Sequence, residues 1–431
     1  MPPHASSGSR PKRRACFPAI LGLALACGVA CSGPRAEPGA FASGWRAVPD
    51  FEMKGGLTAF WNVGEKLSRA HEEAALARGF KPMSLLNTYA DYPGGQKENI
   101  SKALKQPANP WRRPAFFERT VRRNLDQQAP TGPYVLDIEI PIEPPSRAWS
   151  NGEIRQDSGV ADEQAFADAY ARQWKDWYAL PVQWTKARYP NVPVGIYGLQ
   201  PFWYDYWGFI GHTRGQLERK HEPDSTIWRE IDPYVDFYTV TTYAFYDRPD
   251  SVLAIAANVE ENYLRARELG NKPVYAYTWL RFHDQNKQIG GQEVTPYLAE
   301  AMAIVPYFSG AKGVVLWGWE PQLKADDPPP YRNLPLFTAS LARVAALSER
   351  IGRGRLVIDK PAQEVWNARK PLVRTVVAGP DECVVMAINP WQDDEATRTT
   401  PVTCAGRSYD APLRGKHTTL LLISAGRATE Y

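Results

Sequence analysis

Seven short apolar runs, each separated from the next by a stretch of helical periodicity, constrain what this chain can fold into more than any other feature. They are "GLTAFWNV" (56–63), "KPMSLLNTY" (81–89), "YVLDIEI" (134–140), "NVPVGIYGL" (191–199), "VDFYTVTTY" (235–243), "KPVYAYTWL" (272–280) and "KGVVLWGW" (312–319). Between them lie amphipathic segments such as "EKLSRAHEEAALARG", "DEQAFADAYARQWKDWYALPVQWTKARYP" and "SVLAIAANVEENYLRARELG". Strand and helix in strict alternation predict parallel strands covered by helices, as a barrel or a doubly wound sheet. No glycine-rich phosphate loop follows the first run, which weighs against dinucleotide binding. The expected fold is α/β, a distorted (β/α) barrel of the TIM type with about seven strands. Asn62, Glu139, Tyr243, Trp279 and Trp319 fall at the C-terminal ends of these runs, the end where barrel active sites form.

The two ends of the chain read differently. Residues 1–31 combine a basic flank (Arg10, Lys12, Arg13, Arg14) with an apolar run from Phe17 to Ala30, the layout of a secretory signal. Small residues before Cys27 and Cys31 resemble the box preceding a lipidated cysteine. The expected protein is exported, secreted or lipid-anchored at a bacterial cell envelope. Removing these four cations takes the formal charge from +4 to zero, so neither a strong polyanion field nor nucleic-acid binding is indicated. Residues 32–48 read as a tether and 49–352 as the barrel. Residues 353–431 read as a small antiparallel β module, from "LVRTVVAG", "ECVVMAINPW" and "KHTTLLLIS". Of five cysteines only Cys383 and Cys404 lie beyond the leader region, a pair able to form a disulfide in an oxidising compartment.

"PYVLDIEIPIEPP" (133–145) carries the chemistry. With a side-chain period of two, Val135, Asp137 and Glu139 share one strand face while Leu136, Ile138 and Ile140 share the other. Two adjacent carboxylates in an apolar strand must find cations, line a solvated cavity or shift their pKa values. An ion pair with a neighbouring Arg or Lys is the structural alternative; a catalytic pair is preferred because two acids on one barrel-strand face are hard to satisfy otherwise. Two acids two residues apart cannot attack a sugar from opposite faces. The arrangement suits substrate-assisted glycoside cleavage, in which the sugar's 2-acetamido oxygen is the nucleophile, one acid protonates the leaving group and the other supports the acetamido group. Glu143 reads as a carboxylate at the rim.

Tyr197, Tyr243, Trp317 and Trp319 lie near the same end, where rings can stack on sugar faces, although an aromatic in an apolar strand fills core more often than not. His212, His221 and His283 have no metal-ligand spacing and read as surface or loop residues. No cofactor and no metal is expected, and the partner is a polysaccharide bound by a monomer.

Several of these segments, in order, resemble the animal-type hyaluronidases, glycoside hydrolase family 56, of which the chain would be a divergent bacterial-type member. "TAFWNV" is similar to the family's first strand, "NTYADYPG" to the Tyr-Pro after its second, and "LDIE" to its Asp-x-Glu. "VGIYGLQPFWYDY" is similar to its Gly-Phe-Tyr-Gly-Phe-Pro segment and "GAKGVVLWGWE" to its last strand, the whole spanning residues 56–321. The resemblance implies a distorted seven-stranded barrel and a retaining endo-β-N-acetylhexosaminidase acting on hyaluronan or chondroitin. Glu139 would be its general acid/base and Asp137 would position the acetamido group. Tyr197 and Tyr243 would contact that group, Tyr238 being the rival to Tyr243, while Trp317 would wall the subsite and Tyr92 would hold a neighbouring sugar. Where the family continues with Trp-Arg-Pro after its acid, this chain has "IPIEPP", so the cationic contact for a uronate is missing. A chitinase-like endo-N-acetylglucosaminidase and a non-catalytic carbohydrate-binding lipoprotein are the alternatives.

Overall fold

The computed structural model describes residues 40–64, 69–89, 100–104, 107–140, 142–199, 213, 215–216 and 226–431. The segment expected to be a leader, with Cys27 and Cys31, lies outside the described residues, as do Tyr92, His212 and His221.

Each predicted run holds strand: β1 (Thr58–Val63), β2 (Lys81–Pro82), β3 (Ser84–Asn87), β4 (Tyr134–Asp137), β5 (Val194–Tyr197), β6 (Tyr238–Thr241), β7 (Val274–Thr278) and β8 (Gly313–Gly318). The second run divides because Pro82 has no N–H for a continuous ladder. Its first half pairs with β1 and its second with β4, all parallel. At the break Met83 donates its N–H to Trp61 O at 3.3 Å, and Asn62 Nδ2 donates to Met83 O at 2.8 Å. Asn62, expected at the working end, is therefore a brace for this bend.

The ladders form one sheet in the order β2-β1-β8-β7-β6 and a second in the order β3-β4-β5. Between β5 and β6 there is no ladder. Asp236 bridges the two strands instead, its N–H donating to Val194 O and its carboxylate accepting from Val194 N–H, both at 2.8 Å. Thr239 Oγ1 donates to Ile196 O at 2.6 Å. The parallel α/β architecture is as expected, whereas a barrel closed by continuous hydrogen bonding is not formed among the described residues.

Strand parity sorts the side chains into two layers. Phe60, Met83, Val135, Phe237, Tyr277 and Val315 meet between the sheets, with Leu85, Tyr197, Tyr243, Tyr275 and Trp317 against them. The alternate residues, including Leu136, Ile138, Ile140, Val194 and Ile196, pack outward on helices such as Glu163–Arg188. That helix starts at Asp162, whose carboxylate accepts from Ala165 N–H at 2.8 Å and so satisfies a first-turn donor.

Part of the expected tether is folded. Residues Ala40–Arg46 form a helix whose Trp45 is buried with Val48 and donates Nε1–H to His71 Nδ1 at 3.2 Å. A Gly/Pro/Ala-rich composition reads as linker, but an indole that finds an apolar cavity beside Trp61 is worth burying.

The C-terminal segment forms an antiparallel sheet in the order β15-β14-β11-β10-β9. Its strands are β9 (Arg355–Val357), β10 (Leu372–Gly379), β11 (Glu382–Ile388), β14 (Thr419–Ser424) and β15 (Arg427–Glu430), and a β12 (Thr397–Cys404)–β13 (Arg407–Arg414) hairpin lies over it. Cys383, Val385 and Ala387 of β11 face the hairpin. Val384, Met386 and Ile388 face the helices of the α/β body and share its core. Cys383 and Cys404 are joined by a disulfide that ties sheet to hairpin. Buried acids on body helices complete the join. Glu260 accepts from Arg374 Nε at 2.6 Å and from Ala362 N–H at 2.9 Å. Glu300 accepts from Arg343 at 2.5 Å, and Arg343 also donates to Thr418 O at 2.6 Å.

Candidate functional site

The end of β4 is gripped from both sides. Thr88 N–H donates to Asp137 O at 3.0 Å, and Ile138 N–H donates to Tyr197 O at 2.9 Å. This fixes the backbone that presents Asp137 and Glu139 on the inner face, as the period of two requires. Beyond β5 the chain turns at Gly198, φ +98°, a conformation that L side chains rarely adopt. A Cβ there would lie 2.5 Å from Ile138 O and 3.0 Å from Glu139 Cα. Gly198→Ala should therefore push directly on the backbone of Glu139, at a strain of about 1–3 kcal/mol. The expected outcome is a lowered melting temperature together with a fall in kcat for whatever reaction Glu139 supports; kcat unchanged in a stably folded variant would show that the two backbones are not coupled.

The two carboxylates open into a cavity of about 340 Å³ lined also by Leu85, Tyr197, Tyr243, Tyr277, Trp279, His283, Asp284, Trp317 and Trp319. Among the described residues neither Asp137 nor Glu139 has an ion-pair partner, so the structural alternative of a neighbouring Arg or Lys is not realised. Asp137 Oδ1 is buried without a hydrogen-bond partner. Burial first, and the Glu139 charge second, push the Asp137 carboxyl up to about 8. Burial also raises Glu139, which reaches solvent through the cavity mouth. Such a pair holds a proton at neutral pH that isolated carboxyls would have lost.

The far wall is aromatic. Trp279 and Trp317 meet edge to face at 5.2 Å, and Tyr243 lies 5.6 Å from Trp317. Tyr197 lies 5.2 Å from Tyr277, and its hydroxyl accepts from Thr241 Oγ1 at 3.1 Å. Burial raises the phenols of Tyr197, Tyr243 and Tyr277, so all three stay protonated donors at neutral pH. Trp319, 55% exposed, stands at the mouth as a large apolar surface in water.

Of the expected site residues the structure thus brings together Asp137, Glu139, Tyr197, Tyr243, Trp317 and Trp319. Tyr238 is not among them. It lies an odd number of positions from Tyr243 and so points to the opposite face, buried in the outer helix layer against Trp228 with its hydroxyl donating to Asp232. Glu143 pairs with Arg147 at 3.2 Å and does not line the cavity.

His283, expected in a surface or loop position, sits in the loop after β7 and lines the cavity. It stacks on Phe245 at 4.4 Å, its Nδ1 accepts from Gln285 N–H at 3.2 Å and lies 3.2 Å from Asp284 Oδ1, and burial lowers its pKa against the pull of that carboxylate. Trp279, expected at the working end, lines the cavity, as do Tyr277 and Asp284, which the sequence reading does not single out. The first two had a legible signal, because Tyr275, Tyr277 and Trp279 follow one another at the inward period of two. Among the described residues no three or more His, Cys, Asp or Glu side chains are arranged to hold a metal ion.

No protein-family model matches the chain, and no curated protein matches its sequence. Among solved structures it is similar to bee venom hyaluronidase, at 14% identity and a TM-score of 0.44 over 68% of this chain and 100% of that one. A structure of that enzyme in complex with a hyaluronic acid tetramer is similar at 15% identity and a TM-score of 0.41, over 68% and 99%. A glucosidase from Croceicoccus marinus is similar at 10% identity and a TM-score of 0.35, over 85% and 84%. At these distances the likenesses assign the chain to no family, and its chemistry has to be argued from the cavity.

Proposed function

We propose that this protein is a retaining, substrate-assisted glycoside hydrolase acting on polysaccharides that contain N-acetylhexosamine. The observation that carries the reading is the adjacent, proton-retaining carboxylate pair on one wall of an aromatic cavity. Glu139, with its route to solvent, is placed to protonate the glycosidic oxygen as the bond from that oxygen to the anomeric carbon breaks. The carbonyl oxygen of the 2-acetamido group attacks the anomeric carbon from the other face and closes a cyclic oxazolinium ion. Asp137, alongside and buried, holds the acetamido N–H and stabilises the positive charge that develops there. Tyr197 and Tyr243 supply hydroxyl donors, and Trp317 with Trp279 supplies a ring surface for the sugar. Water then gives its proton to Glu139, adds to the anomeric carbon and reopens the ring, with retention.

Product sizing tests this. Incubation with hyaluronan, chondroitin and chitin oligomers should shorten at least one polymer with wild-type protein and none with Glu139→Gln. Binding of a polymer by both proteins with no shortening by either would make the cavity a carbohydrate-binding site without catalysis.

The pair also predicts a pH dependence. The acid must be protonated to act, so kcat/KM should fall as pH rises past the upper apparent pKa of the pair, near 8. In Asp137→Asn the remaining acid no longer has a carboxylate beside it and loses its proton at lower pH. The alkaline limb should move to lower pH along with a lower maximum rate; a limb that stays in place would mean that the two carboxylates are not coupled.

A further inference from the structure

The electrostatics of the cavity say which polymer it should take, and the inference rests on the hydrolase reading above. Three carboxylates line the cavity: Asp137, Glu139 and Asp284. Among the described lining residues there is no Lys or Arg, and burial lowers the pKa of His283 against the pull of Asp284, whose Oδ1 lies 3.2 Å from its Nδ1. Arg281, set between Trp279 and His283 in the chain, is withdrawn. Its guanidinium donates to both oxygens of Glu320, at 2.8 and 3.1 Å, and to Gly291 O at 3.0 Å.

With one proton kept on the Asp137–Glu139 pair, the pair's remaining charge and Asp284 leave the wall negative, and a uronate placed next to the reacting N-acetylhexosamine would add a like charge in a partly desolvated space where repulsion is weakly screened. The segment after the acid, "IPIEPP", contains no cation, and its Glu143 is paired with Arg147 away from the cavity lining. An uncharged sugar meets no such penalty and gains the ring faces of Trp279, Trp317 and Trp319.

We infer that the substrate is an uncharged N-acetylhexosamine polymer and that the cavity selects against alternating uronate glycans. The experiment compares native hyaluronan, carboxyl-reduced hyaluronan and N-acetylglucosamine oligomers, measuring kcat/KM for the full chain at low and high salt. Carboxyl reduction changes the charge and leaves the linkages alone. The reduced polymer should be cut at least about 10-fold more efficiently than the native one, with that ratio shrinking as salt screens the repulsion. Cleavage confined to the N-acetylglucosamine oligomers, with the uncharged reduced polymer left intact, would show selection by linkage and overturn the inference that charge is what the cavity selects on. Native hyaluronan cut as well as or better than its reduced form would overturn the inference and leave the hydrolase reading standing. Failure to cut any of the three would instead remove the hydrolase reading and the inference with it.

Discussion

Glu139→Gln is expected to lower kcat by about 100- to 10,000-fold, the range that a positioned general acid supplies. Gln keeps the shape and the hydrogen-bonding capacity of the side chain, and the backbone around it is held by Thr88, Ile138 and Tyr197, so the fold should persist. Stability should even rise at alkaline pH. In the wild type the Asp137–Glu139 pair keeps a proton to an apparent pKa near 8, whereas an unfolded Asp loses its proton at about 3.9. Between those values the native state binds more protons than the unfolded state, so stability falls as pH climbs through the window. Removing the Glu139 charge lowers the Asp137 pKa and flattens that fall. Denaturant unfolding at pH 9 with single-turnover rates at pH 6 checks both halves. A Gln variant that turns over at near the wild-type rate would end the assignment of Glu139.

The second large effect concerns stability. Arg374 and Glu260 are both 2% exposed and pair between β10 and the Pro249–Glu268 helix. Arg374→Met leaves Glu260 as an uncompensated buried charge, an expected loss of about 3–5 kcal/mol in unfolding free energy. Adding Glu260→Leu removes that charge and should recover part of the loss. Recovery should be incomplete, because Ala362 N–H then loses its acceptor, at about 1–3 kcal/mol. Denaturant melts of the two variants measure this. A double variant no more stable than Arg374→Met would show that burial of the lone charge was not the main cost.

The same pair shows why the C-terminal segment resists description as a separate module. Its β strands were legible from residue 372 onward as apolar runs, and β11 lacks alternation because both its faces are covered. The β12–β13 hairpin was not legible. Its strands carry Pro401 and Pro412 and mostly exposed polar residues, and its turn is Ala405–Gly406, with φ of +49° and +76°, rather than the Asn-Gly that marks such turns. The disulfide was legible by composition, since only two cysteines lie beyond residue 31.

What this sequence determined alone is local and periodic: where strands run, and which residues of one strand share a face. Asp137 beside Glu139 on the inner face follows from the two-residue repeat of an extended backbone, whatever packs around it. The same repeat separates Tyr243 from Tyr238. The tertiary structure decided what depends on distant elements meeting. It bent the second run at Met83, left β5 and β6 joined through Asp236 rather than a ladder, and swung His283 and Asp284 to the cavity rim while Glu320 took up Arg281. None of these has a local signature, because burial of a charge and choice of a partner are settled only when segments far apart in the chain exclude water between them.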